Sequence, residues 1–162
     1  MTTNTVNIRE VSLEALLEIL EKKALSHLVV SQVLQKYQYL DKQERSFFSR
    51  LTEGTLERLL TLDYVLEQFS SVPVRKMKPV IRTILRMGTY QLLYMDSVPD
   101  SAACNESVRL AERKGFRSLK GFVNGVLRSI ARNKENVLQT ETMSLSVRYS
   151  TPDWIVQEWV SV

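Results

Sequence analysis

The chain has 162 residues, of which 44% are apolar and 25% charged, and a formal net charge of +4. That length suits one domain with its own core and a fragment of a second. One cysteine excludes an internal disulfide, no apolar run approaches the roughly 20 residues of a membrane helix, and the polar start does not read as a signal peptide. A cytoplasmic location is the expectation.

Five glycines and four prolines are few for a sheet protein. With abundant Leu, Glu, Lys and Arg, they predict an all-α chain of long helices. From residue 9 to 24, Leu13, Leu16, Leu17, Leu20 and Ala24 fall at helical spacing and make one apolar stripe. A second helix is expected over 26–37, with Val30, Val33, Leu34 and Tyr37 inward. Asp41 opens the third: its carboxylate can accept the N–H of Glu44, and Glu44 can reach back. Phe47, Phe48, Leu51, Leu59 and Leu60 supply core. Thr61, Leu62 and Asp63 break the period, so a separate short helix is expected over 64–69.

Residues 70–73 read as a loop, and Pro79 suits the first turn of the next helix, where a missing N–H is harmless. Val80, Ile81, Ile84, Leu85, Leu92 and Leu93 give that helix its apolar face. Gly88 in its middle costs about 1 kcal/mol relative to Ala, which predicts close approach of another helix there. A further helix is expected over 102–114, with Gly115 just past its end. The last core helix is expected over 118–132, carried by Leu119, Phe122, Val123, Val126, Leu127 and Ile130. Gly121 and Gly125 suggest a strip thin enough for another backbone to approach. From Asn133 to Tyr149 the pattern turns polar and reads as a linker. Ser150, Thr151, Pro152 and Asp153 then look like a helix start, followed by Trp154, Ile155, Val156, Trp159 and Val160. Those apolar residues have nothing of their own to pack on, so the chain reads as a piece of a longer protein.

Several chemistries are not expected. His27 and Cys104 stand 77 positions apart, too far to suggest a Cys/His metal site. His27 reads as a surface or capping residue and Cys104 as small core. No Gly-x-Gly occurs, so no cradle for a nucleotide or for S-adenosylmethionine is expected in this chain. Glu10, Glu14, Glu18 and Glu21 describe a solvated helix face rather than a general acid and base.

The charge is unevenly spread. Residues 73–132 hold 12 basic against 4 acidic side chains, while the flanking segments are each net negative. The basic residues fall in three groups. The first is Arg75, Lys76, Lys78, Arg82 and Arg86; the second is Arg109, Arg113, Lys114, Arg117 and Lys120; the third is Arg128 and Arg132. A solvated face and a polyanion footprint are both open readings. Arginine forks suit phosphate oxygens, which give affinity rather than sequence reading. Rings for stacking could come from Tyr37, Tyr39, Tyr90 and Tyr94, most of them expected in the core.

Four pieces in order carry a resemblance. The first runs Leu51, Thr52, Glu53, Gly54, Thr55, Leu56, Glu57, Arg58, with Leu62 and Asp63 after it. The second runs from Ile84 through Arg86, Gly88, Tyr90 and Gln91 to Tyr94. The third is Val98 and Pro99 with Asn105, Glu106 and Val108. The last is Lys120, Gly121, Phe122, Val123, Asn124, Gly125, Val126, Leu127, Arg128. Over about residues 8–132 the chain resembles the NusB-like domain family. The resemblance implies a helical bundle of about six to seven helices and a role in RNA binding.

Two branches of the family are relevant. One is the antitermination factor that pairs with ribosomal protein S10; the other carries this fold at the amino end of RsmB/Sun-type rRNA cytosine-5 methyltransferases. Arg128 stands where the first branch usually has an acid, and the segment from Arg148 to Trp159 resembles the lead into a methyltransferase part. The second branch is therefore favoured. It implies a whole protein that moves a methyl group from S-adenosylmethionine to a cytosine of 16S rRNA. The paired catalytic cysteines would lie beyond Val162, and Cys104 matches neither.

Residues 1–136 are then the RNA-binding domain, and 137–162 a linker and first helix toward the methyltransferase domain. The chain itself is expected to hold no cofactor and no catalytic residue. Its expected partners are small-subunit rRNA and its own catalytic domain. The expected RNA contacts are Arg82, Arg86, Arg113, Arg117, Arg128 and Arg132. The family's arginine-rich amino end is represented by Arg9 alone, and Asn124 reads as a structural helix start. The alternatives are an antitermination factor partnered by S10 and a pure protein-docking module.

Overall fold

The computed structural model describes residues 6–137. Among them seven α-helices follow one another: α1 Ile8–Leu20, α2 Ser26–Lys36, α3 Lys42–Glu57, α4 Leu59–Phe69, α5 Pro79–Tyr94, α6 Asp100–Arg113 and α7 Lys120–Val137. Short 3-10 turns at Val74–Lys76 and Arg117–Leu119 precede α5 and α7. No strand occurs among the described residues. The all-α expectation holds.

Helix α5 is the axis of the bundle, packed by α1, α3, α4, α6 and α7. Its middle is buried on every side, from Thr83 to Leu92. Leu13, Leu16, Leu51, Leu62, Ile84, Leu85 and Leu127 meet in this core with no exposed surface. Each such side chain contributes about 1.5–3 kcal/mol on burial. A helix enclosed in this way must satisfy its polar side chains internally. Thr83 and Thr89 donate to the carbonyls of Pro79 and Leu85, and Gln91 donates to that of Met87. A smaller cluster of Val11, Ala15, Val30 and Phe48 joins α1, α2 and α3.

The helix ends explain where the chain turns. Asn7 caps α1 by accepting the Glu10 N–H, and Asp41 caps α3 by accepting the Glu44 N–H at 2.8 Å, as the Asp-x-x-Glu spacing suggests. Helix α1 stops at Leu20, a turn before Ala24. Lys23 takes a left-handed conformation with φ of 60°, and the Ala24 N–H closes back on the Glu18 carbonyl. The expected gap at 61–63 is absent. The break falls at Arg58, and α4 runs unbroken from Leu59, because Leu62, Val65 and Leu66 keep the apolar period.

Gly88 behaves as its position predicts: a Cβ there would stand 2.8 Å from Leu127 and 2.9 Å from Ser107, so α6 and α7 both close on it. Gly121 and Gly125 do not, since an added Cβ at either meets nothing within 4 Å; the thin strip faces outward. Helix α7 also outruns the expected end, passing through Asn133 to Val137, whose side chain is buried. Val137 joins the core a turn past Asn133, and Lys134 reaches Asp100 at 3.0 Å, so both tie this polar stretch to the bundle. The rest of the linker expected over 133–149 and the Trp154–Trp159 segment lie outside the described residues.

Candidate nucleic-acid interface

Gly115, at φ of +88°, ends α6 in the left-handed conformation that favours glycine. The chain turns through Arg117–Leu119 and returns as α7, antiparallel to α6. Polar rungs tie the outer edges of the pair. Lys134 Nζ lies 3.0 Å from Asp100, Arg128 Nη2 2.8 Å from the Asn105 side-chain oxygen, and Lys120 Nζ 3.6 Å from Glu112.

The middle rung differs from the other two. Arg128 donates a second bond from Nε to the Asn124 side-chain oxygen at 3.1 Å. Both acceptors are neutral amides, so the guanidinium is oriented without being neutralised. Asn124 is therefore not a helix start. It sits inside α7, one turn before Arg128, and positions that arginine. One turn on, Arg132 is exposed, its closest partner the Ser129 hydroxyl at 3.4 Å. Beneath this edge Cys104 is buried; burial pushes its thiol pKa up, partly offset by the Arg128 charge.

The second basic group meets α1. Arg113 bonds Glu10 at 2.6 Å, and Lys114 reaches Glu10 and Glu14 at 3.1 and 3.0 Å. Burial alone would raise the Glu10 pKa, but hydrogen bonds and charge from Lys114 and Arg113 bring it below the usual carboxylate range. Burial alone would lower Lys114, but Glu14 and Glu10 raise it. Arg117 is 80% exposed in its side chain and only 3.8 Å from Glu112, a loose pair. Arg109 is paired with Glu106 at 2.8 Å, 69% exposed in its side chain.

The six arginines singled out from sequence thus separate into two sets. Arg113, Arg117, Arg128 and Arg132 lie on the α6–α7 hairpin. Arg82 and Arg86 are placed elsewhere, each as a fork on one carboxylate. Arg82 bonds Glu21, just past the end of α1, through Nε at 3.0 Å and through Nη2. Arg86, 9% exposed, bonds Asp63 of α4 at 2.7 and 2.9 Å. Both tie α5 to a neighbour and turn away from solvent. Arg9 is likewise held inside: it donates to Gln91 at 2.7 Å and lies over the Phe47 ring, and burial lowers its pKa from the ordinary arginine value. The sequence reading missed Asn105 as a partner of Arg128. Their separation of 23 positions carries no periodic signal; only the antiparallel register joins them.

Other chemistry is not assembled. Among the described residues, no group of three or more His, Cys, Asp or Glu side chains is placed to hold a metal. No helix there is long and apolar enough to cross a membrane. His27 is exposed.

This arrangement defines a class of known fold. The bundle superposes on the crystal structure of antitermination factors NusB and NusE in complex with dsRNA with a TM-score of 0.70. The identity is 18%, over 77% of this chain and 93% of that one. It superposes equally on T. maritima NusB, TM-score 0.70 and 22% identity, over 85% of this chain and all of that one. The fold is that of a NusB-type helical bundle, and the sequence agrees. The NusB family profile matches residues 6–132, and the chain belongs to that family.

Longer relatives are closer in sequence. The chain is 35% identical over 156 residues to the probable ribosomal RNA small subunit methyltransferase B of Bacillus subtilis. It is 36% identical over 155 residues to the protein of the same description from Synechocystis. Each match covers 94% of this chain and 34% of the relative, so the chain spans about a third of their length.

Proposed function

We propose that this chain is the RNA-binding amino-terminal domain of an S-adenosylmethionine-dependent 16S rRNA cytosine-5 methyltransferase, acting in the cytoplasm. Its α6–α7 hairpin holds small-subunit rRNA while a catalytic domain does the chemistry. The observation that carries this reading is the extent of the match. The family profile ends at residue 132, yet similarity to the methyltransferase relatives covers 94% of the chain. The separate antitermination reading rests on fold likeness at 18–22% identity, which is weaker.

The surface supports the same reading. Among the described residues no carboxylate is paired with Arg128, and Arg113, Arg117 and Arg132 project from the same hairpin. Arg82 and Arg86 drop out as contacts, since Glu21 and Asp63 take two nitrogens of each fork and the side chains are only 20% and 11% exposed, whereas Arg113 meets Glu10 through one nitrogen and stays 56% exposed. S-adenosylmethionine would be bound by sequence outside this chain, whose described residues form no Gly-rich turn after a strand. The chain's own contribution is affinity and placement of RNA against the catalytic part.

Titrating the chain with a small-subunit rRNA fragment at rising salt tests this. The log of the binding constant is expected to fall linearly with log salt, by about 0.7–0.9 for each phosphate contacted. The four hairpin arginines alone predict a slope of about −3, and every further phosphate contact steepens it. A salt-independent constant would remove the RNA reading.

A further inference from the structure

The first basic group along the chain comprises Arg75, Lys76, Lys78, Arg82 and Arg86. The structure divides it. The two α5 arginines are bound to carboxylates, while Arg75, Lys76 and Lys78 are exposed and have no ion pair among the described residues. We propose that Arg75, Lys76 and Lys78 form a second phosphate-contacting patch that grips the backbone of a folded RNA together with Arg117 and Lys120. This rests on the RNA reading above and adds residues that the reading does not use.

The local structure sets the three cations outward. Val74 and Met77, three apart, are buried at 5% and 6% exposure and pin the turn to the core. The Lys76 and Met77 N–H groups close on the carbonyls of Pro73 and Val74, at 2.9 and 3.1 Å. Upstream, the Val74 N–H is accepted by Glu67 at 2.7 Å, and Ser70 bridges both polar groups of Val72. With positions 74 and 77 anchored, the residues at 75, 76 and 78 are left exposed. The patch is held by a fixed turn rather than a loose loop, which lowers the ordering cost of binding.

Topology brings the patch to the right end of the bundle. Gly88 of α5 faces Ser107 of α6, and Pro79 lines the same groove as Lys114, so α5 and α6 are antiparallel. The rungs already described make α6 and α7 antiparallel. The start of α5, the end of α6 and the start of α7 therefore share one end. Arg75, Lys76 and Lys78 lead into the first, and Arg117 and Lys120 stand between the other two.

The ligand class follows from what accompanies the charge. Stacking on aromatic rings is the usual means of holding single-stranded bases, whereas helical RNA is held through its phosphates and shape. Among the described residues Tyr39 is the one exposed large aromatic side chain, and it lies between α2 and α3. None stands exposed on the two turns or on α5, α6 and α7. This end is equipped for phosphates of a stem, not for splayed bases.

The test uses the whole chain, an RNA hairpin from the small subunit and the variant Arg75→Ala/Lys76→Ala/Lys78→Ala. Far-UV circular dichroism and thermal melting are expected to match the parent, since the three side chains are exposed and make no ion pair among the described residues. The salt slope of binding is expected to become shallower by about 2–3, one lost contact per residue. Single-stranded RNA of equal length should bind more weakly than the hairpin. Parent-like affinity and slope in the folded variant would overturn the assignment, leaving the patch to an acidic protein partner. If the parent chain shows no salt-dependent RNA binding, the underlying RNA reading fails as well, so the two failures are distinguishable.

Discussion

Asp63→Ala is expected to lower the unfolding free energy by about 2–3 kcal/mol, the largest loss anticipated from a single charge deletion here. Asp63 holds both Nε and Nη2 of Arg86, and the arginine side chain is 11% exposed against 26% for the aspartate. Removing the carboxylate leaves a guanidinium that burial prevents from being rehydrated. The residual exposure of Asp63 keeps the loss below that of a fully enclosed pair. Urea denaturation of the two chains measures it. The double variant Asp63→Leu/Arg86→Met should recover most of the loss, because no unpaired charge remains. Equal loss in single and double variants would show that packing, not charge, holds α4 to α5.

Gly54→Val should be comparably damaging, by about 2–3 kcal/mol. Tyr90 of α5 lies across Gly54 of α3, and a Cβ at that position would overlap the Tyr90 Cζ and hydroxyl. The ring cannot swing clear, because Tyr90 is buried and packs on Tyr94 with ring centres 5.4 Å apart. Gly121→Ala, by contrast, should raise stability by about 0.5–1 kcal/mol, since the new methyl meets nothing and gains helix propensity. Opposite signs for two helical glycines in one melting series would check both statements.

Much of this fold could be read in the amino-acid order. Apolar spacing located the cores of α1, α2, α3, α5 and α7, and Asp41, Pro79 and Gly115 marked helix ends as local backbone chemistry requires. What failed was non-local. The acid of Asp63 looks out of place in an apolar helix until it is seen to serve Arg86, 23 positions away. Gly121 and Gly125 have the spacing of a helix-approach strip, but whether a neighbour arrives depends on topology. Arg82 and Arg86 read as free cations because their carboxylates, Glu21 and Asp63, come from other helices. The same blindness hid Asn105, which with Asn124 turns Arg128 into an oriented charge. A linear pattern counts cations but does not tell which are already occupied.

The most direct test of an RNA-holding α6–α7 hairpin is the variant Arg128→Glu/Arg132→Glu measured against the parent on one small-subunit rRNA fragment. Both side chains lie on the outer edge of α7, and Asn105 and Asn124 can donate amide hydrogens to a glutamate as readily as they accept from arginine, so the melting curve should be preserved. The expected result is an affinity at about 0.1 M salt at least tenfold lower, with a shallower salt slope. A folded variant that binds the fragment as tightly as the parent would contradict the proposal and identify the hairpin as a surface for docking protein.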